Sequence, residues 1–159
     1  MHAKDILRKV NMMKCNPVST PMEPRKKLSK NEERYHVGAS RYRSLIESLK
    51  YLTNRRPNLM LNVEVTTYIM EEPIYTHWKT LKRILRYMNG TLSFGLMYTK
   101  SDIYQLSGYL NTDWCEDVGD QKSTTGYVFF MGDTTFTWLS KKQPTVALSM
   151  CEDEYVAAS

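Results

Sequence analysis

The sequence predicts an α+β chain: a basic helical part, then short strands and one closing helix. Three observations predict it. Apolar residues recur at helical spacing as far as Asn89-Gly90 and then give way to short β-rich runs. The charge changes sign near Lys100, since residues 1–100 carry 19 Lys and Arg against 8 Asp and Glu, whereas residues 101–159 carry 3 against 9. A length of 159 residues with 42% hydrophobic and 25% charged content suits about one ordinary globular core, which excludes a complete multidomain enzyme, wholesale disorder and a fibrous repeat.

The elements follow in order. Ile6, Leu7, Val10 and Met13 predict a helix over 4–13, ended by Asn16-Pro17, Thr20-Pro21 and Pro24. Residues 14–38 read as a polar linker, made basic by Arg25, Lys26, Lys27 and Lys30 and carrying the charged run Asn31-Glu32-Glu33-Arg34. Residues 1–38 are thus an N-terminal helix and basic, Pro-containing linker. The segment 39–92 is helical and basic. Tyr42, Leu45, Ile46, Leu49 and Leu52 form one stripe of a helix over 40–53. After Pro57, residues 58–70 predict a buried helix, although Val63, Val65, Thr66 and Thr67 would also suit a strand. The clearest helix is 76–89, with Trp78, Leu81, Ile84, Leu85 and Met88 on one face and Lys79, Lys82, Arg83 and Arg86 on the rest. In 93–159, strands are predicted at 94–99, 105–112, 125–131 and 134–140, and a helix at 149–158.

Cys15, Cys115 and Cys151 are far apart and form no C-x-x-C, which argues against a zinc site or a disulfide framework and suits a reducing compartment. The first ten residues interleave charge with apolar residues, whereas a signal peptide needs an uninterrupted apolar run of about 7–15. No run approaches the ~20 residues of a membrane span. The expectation is an intracellular protein of cytoplasm or nucleus with no transmembrane segment.

Ordered motifs then point to a family. Tyr42-Arg43-Ser44-Leu45-Ile46, Tyr51-Leu52-Thr53, Arg56-Pro57, His77-Trp78-Lys79 and Lys82-Arg83-Ile84-Leu85-Arg86-Tyr87 resemble the C-terminal part of the reverse transcriptase of copia-type LTR retrotransposons. Asp113-Trp114, Lys122-Ser123-Thr124, Gly126-Tyr127, Trp138, Ser140-Lys141-Lys142-Gln143-Pro144 and Glu152 with Glu154-Tyr155 resemble the beginning of that family's RNase H domain. The resemblance covers nearly the whole chain. It implies a polymerase remnant followed by a truncated RNase H-like sheet and helix.

That chemistry can be tested residue by residue. A polymerase palm needs adjacent aspartates to hold its metals, and the sequence contains no Asp-Asp pair. In the family pattern the first RNase H carboxylate leads a Tyr-x-Asp-x-Asp-Trp string, which here is Tyr109-Leu110-Asn111-Thr112-Asp113-Trp114. Asn111 therefore stands where a metal-bridging carboxylate belongs, and a neutral amide bridges two cations poorly. Glu154 matches the helix glutamate. No catalytic residue and no cofactor is expected, Mg²⁺ being required only if RNase H activity survived. Asp113, Glu116, Asp117 and Asp120 match no EF-hand spacing. Glu47, Asn62 and Glu64 also depart from the family, and are expected to face water or to mark a drifting copy.

The basic half is a candidate nucleic-acid surface through Arg41, Arg43, Arg55, Arg56, Lys79, Lys82 and Arg83, with Tyr42 and Trp78 placed in the core by their stripes. A second resemblance rests on shorter strings. Arg83-Ile84-Leu85-Arg86 is an R-x-L-R string and Glu32-Glu33-Arg34 an E-E-R string, similar to the signature of oomycete RxLR-type secreted effectors but in reversed order. That resemblance implies secretion, entry into plant cells, a host plant protein as partner and suppression of host defence.

Overall fold

The computed structural model describes residues 3–23, 35–98, 100, 102, 104–113 and 121–159. The chain divides into two compact units, Met1–Gly95 and Leu96–Ser159. Among the described residues the first unit holds α1 (Ala3–Lys9), α2 (Ala39–Thr53), a single 3₁₀ turn (Pro57–Leu59), α3 (Met60–Thr67) and α4 (Tyr75–Gly90). The second holds β1 (Leu106–Asp113), β2 (Thr124–Met131), β3 (Thr134–Lys142) and α5 (Met150–Ala158). The class is α+β, and the period change in the sequence is its cause.

In the first unit the predicted stripes meet. Tyr42, Leu45, Ile46, Leu49 and Leu52 of α2 pack with Leu81, Ile84, Leu85 and Met88 of α4, joined by Ile6 and Leu7 of α1 and by Leu59 and Val63. Each buried Leu or Ile contributes about 1.5–3 kcal/mol, so this cluster is the main apolar source of stability. α3 is helical despite its β-branched content. Pro57 starts the preceding turn, and the Thr66 and Thr67 hydroxyls donate to Val63 O at 2.8 and 2.9 Å, contacts that a helix provides and a strand would not. Glu47 is exposed and pairs with Lys50 at 3.7 Å, while Asn62 and Glu64 are half-buried, so no carboxylate of this group is sealed in the core.

α1 is shorter than the predicted 4–13. Asn11 adopts φ 62°, Asn11 N donates to Arg8 O and Met12 N to Leu7 O, a Schellman ending that stops the helix and turns Met12 and Met13 onto the core. The described part of the linker is not loose either. Asn89 Nδ2 donates to Cys15 O at 3.0 Å, Arg86 Nε to Asn16 O at 2.7 Å and Arg83 Nη2 to Thr20 Oγ1 at 2.9 Å. Residues 15–23 are therefore a strap along α4. Gly90 makes room for it, since a Cβ there would stand 2.8 Å from Pro17 Cβ.

The second unit is an antiparallel meander in the order β1-β2-β3, with Leu106 opposite Met131 and Asp113 opposite Thr124. Gly132 at φ 59° opens the two-residue turn into β3, the left-handed position a tight hairpin requires. The register shifts between Phe129 and Phe130, where Phe136 is the extra residue of β3. Among the described residues of this unit Ser123, Gln143, Ala147 and Asp153 are buried, while Leu106, Tyr109, Leu110, Met131 and Phe136 remain exposed. The sheet thus leaves large apolar side chains exposed. The strand predicted at 94–99 is not found over its described residues, 94–98, where Phe94, Met97 and Tyr98 are exposed. β-propensity without a neighbouring strand to pair with does not make one.

Candidate nucleic-acid interface

The first unit brings its cations together through a short backbone pairing. Val37 N donates to Pro73 O and Tyr75 N to Tyr35 O, both at 2.9 Å, with His36 opposite Ile74. This pairing sets the first turns of α2 and α4 side by side. Ile74 N donates to His77 Nδ1 at 3.2 Å, which satisfies one of the amides left open at the start of α4. Arg41, in the first turn of α2, can then reach Trp78 in the first turn of α4.

Arg41 Cζ lies 5.6 Å and Lys82 Nζ 5.7 Å from the centre of the Trp78 ring. Lys79 Nζ lies 4.8 Å from the Tyr75 ring. Each such contact is worth about 0.5–1 kcal/mol at an exposed site, enough to orient a cation without neutralising it. α4 contains no acidic residue in its 16 positions, so no carboxylate one helical turn away competes for Lys79 or Lys82. Trp78 is half-buried and also touches Tyr42, ring centres 6.4 Å apart. Tyr42 itself is fully buried, and its hydroxyl donates to Thr66 O at 3.3 Å. Burial pushes the Tyr42 phenol well above its ordinary value.

The other sequence candidates fall elsewhere. Arg43 is exposed, with Nε donating to Met70 O at 3.1 Å and Nη2 to Glu71 O at 3.5 Å. Arg55 is exposed just after α2. Arg56 leaves the phosphate-contact set: only 5% exposed, it donates to Thr91 Oγ1 at 3.3 Å and Leu92 O at 3.1 Å, and burial lowers its pKa. Its role is to fasten the end of α4 to the turn after α2. Arg83 is occupied by Thr20 and, at 3.5 Å, by Glu23.

The R-x-L-R string is consequently not an exposed linear motif. Arg83 and Arg86 hold the strap, and Ile84 and Leu85 are core residues. Glu32, Glu33 and Arg34 lie outside the described residues, as do Trp114, Glu116, Asp117 and Asp120. Asn111 is exposed on β1 opposite Gly126, and Glu154 is exposed on α5. Among the described residues no three His, Cys, Asp or Glu side chains are grouped to hold a metal ion. Asn111 itself offers a neutral amide, which bridges two cations poorly.

The sequence reading missed two features. The pairs Tyr75/Lys79 and Trp78/Lys82 both stand four residues apart, a spacing that puts side chains in contact on a helix and was legible beforehand. Asp153, between Glu152 and Glu154, is the one acidic residue of α5 that is buried, and nothing in that acidic run distinguishes it.

The chain is an α+β protein, a basic helical unit followed by a sheet and a helix. This chain belongs to the family of sequences related to the Pol polyproteins of copia-type retrotransposons. It is 37% identical over 151 residues to the retrovirus-related Pol polyprotein from transposon RE2 of Arabidopsis thaliana, covering 95% of this chain and 10% of that protein. It is 35% identical over 156 residues to an uncharacterised mitochondrial protein of Arabidopsis thaliana, covering 98% of this chain and 65% of that one. It is also 43% identical over 119 residues to the secreted RxLR effector protein 161 of Plasmopara viticola, covering 74% of this chain and 84% of that protein. The chain spans about a tenth of the length of the transposon polyproteins it matches. No protein-family model matches it, and no solved structure does. Among the described residues no helix is long and apolar enough to cross a membrane.

Proposed function

We propose that this chain is a non-catalytic derivative of a Pol polyprotein that binds nucleic acid through its first unit. In this reading the first unit descends from the C-terminal region of the reverse transcriptase and the second from the RNase H domain. The observation that carries the binding is the pair of cations, Arg41 and Lys82, held on one Trp78 ring beside Lys79 on Tyr75. Because cations occupy the indole, the face offers phosphate contacts rather than a free ring for base stacking, and binding should be indifferent to sequence. The absence of catalysis is supported by Asn111, which stands in place of a carboxylate.

Binding of a labelled RNA·DNA hybrid, followed by anisotropy against salt, tests the reading. Affinity should fall steeply with salt, and salt-insensitive or absent binding would refute it. Mg²⁺-dependent cleavage of the hybrid, lost on Glu154→Gln, would refute the non-catalytic part.

A second reading is favoured by one observation, the 43% identity to the effector over most of that protein. The chain would then act as a secreted effector on a host plant protein. That reading rests on the relationship and not on the R-x-L-R string. Secretion, or suppression of cell death on expression in leaf tissue, supports it; neither occurring removes it.

A further inference from the structure

The strap over α4 contains a built acceptor for a phosphate. Thr20 is exposed, in irregular backbone, and precedes Pro21, which disfavours helical backbone at Thr20 and biases it toward the extended form a kinase cleft takes. Its Oγ1 receives a hydrogen bond from Arg83 Nη2 at 2.9 Å. Arg83 Nη1 stands 3.5 Å from Glu23 Oε1, but Arg83 Nε is buried and has no acceptor among the described residues. Thr76 Oγ1, two helical turns earlier on the same side of α4, is likewise buried without a partner. The guanidinium is therefore fixed against the Thr20 hydroxyl with one donor unused. The neighbouring hydroxyl, Ser19, is followed by Thr20 and not by a proline.

We propose that Thr20 is a phosphorylation site and that its phosphate seats on Arg83. The phosphoryl donor is a Mg²⁺-bound nucleoside triphosphate in a proline-directed kinase. Thr20 Oγ1 forms a bond to the γ-phosphorus as the bond from that phosphorus to the bridging oxygen breaks. The hydroxyl proton passes to the kinase's base, and the nucleoside diphosphate leaves. The product carries about −1.5 to −2 charge and three strong acceptor oxygens. Two of them can meet Nη2 and Nε side by side, the fork geometry that guanidinium groups offer to phosphates, which supplies the missing acceptor. Glu23, now facing a like charge, is displaced from Arg83. The strap is held more tightly on α4. This inference is independent of nucleic-acid binding by the unit.

The test uses the full chain, a proline-directed Ser/Thr kinase and Mg²⁺·ATP, with sites mapped by mass spectrometry. Phosphate should appear on Thr20 and disappear from that position in Thr20→Ala. A ³¹P titration should place its second ionisation below the ordinary value of about 6, and Arg83→Lys should return it toward about 6. Amide exchange in residues 15–23 should slow by about tenfold, the effect of one added charge-assisted hydrogen bond. Glu23→Gln keeps the seat and should keep both effects, which separates the phosphate contact from any loosening by the Arg83 change. A folded chain unmodified at Thr20 overturns the proposal. So does a phosphate that titrates near the ordinary value while exchange in the strap is unchanged.

Discussion

Gln143 Nε2 lies 2.6 Å from Asp153 Oδ1, with both side chains buried. The same nitrogen lies 3.3 Å from Asp153 O and 2.9 Å from Thr125 Oγ1, so one amide ties β2, the chain after β3 and α5 together. Among the described residues of this unit Ala147 is the one buried apolar side chain, so this polar contact is a main tie between the sheet and α5. Gln143→Ala would leave the Asp153 carboxyl buried without a donor among the described residues, at a cost of about 2–3 kcal/mol. Gln143→Leu combined with Asp153→Ala should cost less than Gln143→Ala alone, because no buried polar group is then stranded. Urea unfolding of the second unit's signals, with amide exchange in α5, measures both. A double variant worse than the single would show that the contact is only incidental.

The arginines and lysines of the first unit should separate by function. Arg41→Ala and Lys82→Ala should each reduce the salt dependence of hybrid binding by about one phosphate contact, with little loss of stability. Arg56→Ala should leave the salt slope unaltered and destabilise the fold by about 1.5–3 kcal/mol, since Thr91 and Leu92 lose a charged donor in a buried place. Anisotropy at several salt concentrations and thermal unfolding read the two effects separately. Equal slopes for Arg56→Ala and Lys82→Ala would contradict the division.

Why some of this was legible in the sequence and some was not has a physical basis. The stripes of α2 and α4 contain Leu and Ile at helical spacing, and amphipathicity is a local property, so those core residues could be read directly. Residues 58–70 were ambiguous because β-branched residues suit either state, and the helix was decided by local hydrogen bonds to Val63 O. Arg55 and Arg56 look alike in sequence, yet the turn after α2 exposes one and buries the other. The strap depends on contacts such as Arg86 to Asn16, 70 residues apart, which no local pattern announces. Asp153 faces its partner because of how α5 sits on the sheet, again a tertiary fact.

Tyr42 gives the first unit a defined alkaline limit. Burial raises its pKa in the folded state, so the folded chain keeps the phenol neutral where the unfolded chain would ionise it. The associated stability is fully present below the unfolded value of about 10 and is lost as the pH rises above it. Unfolding free energy should be flat in this respect at neutral pH and decline above pH of about 10. Tyr42→Phe should lessen that decline, at a neutral-pH cost of about 1 kcal/mol for the lost bond to Thr66 O. A late component of the tyrosinate absorbance, absent in Tyr42→Phe, identifies the group. An unchanged absorbance titration in that variant would count against it.

The R-x-L-R string should behave as structure when it is mutated. Leu85 is 1% exposed in the core cluster, and Leu85→Ala should cost about 2–5 kcal/mol, the usual penalty for a cavity in a packed interior. Arg86→Ala removes the 2.7 Å bond to Asn16 O from a half-exposed position, so its cost should be nearer 1 kcal/mol and confined to faster amide exchange in residues 15–23. The difference bears on the effector reading. A variant with all of Arg83, Ile84, Leu85 and Arg86 changed to Ala would lose activity through unfolding, whatever the string does in trafficking. Arg86→Ala leaves the core intact and is the informative variant. If it abolishes secretion or the effect on host cells while thermal unfolding stays within about 1 kcal/mol of the parent, the string acts as a signal despite its packing. If activity survives Arg86→Ala and fails only in step with stability in Leu85→Ala, the string is a piece of α4 and nothing more.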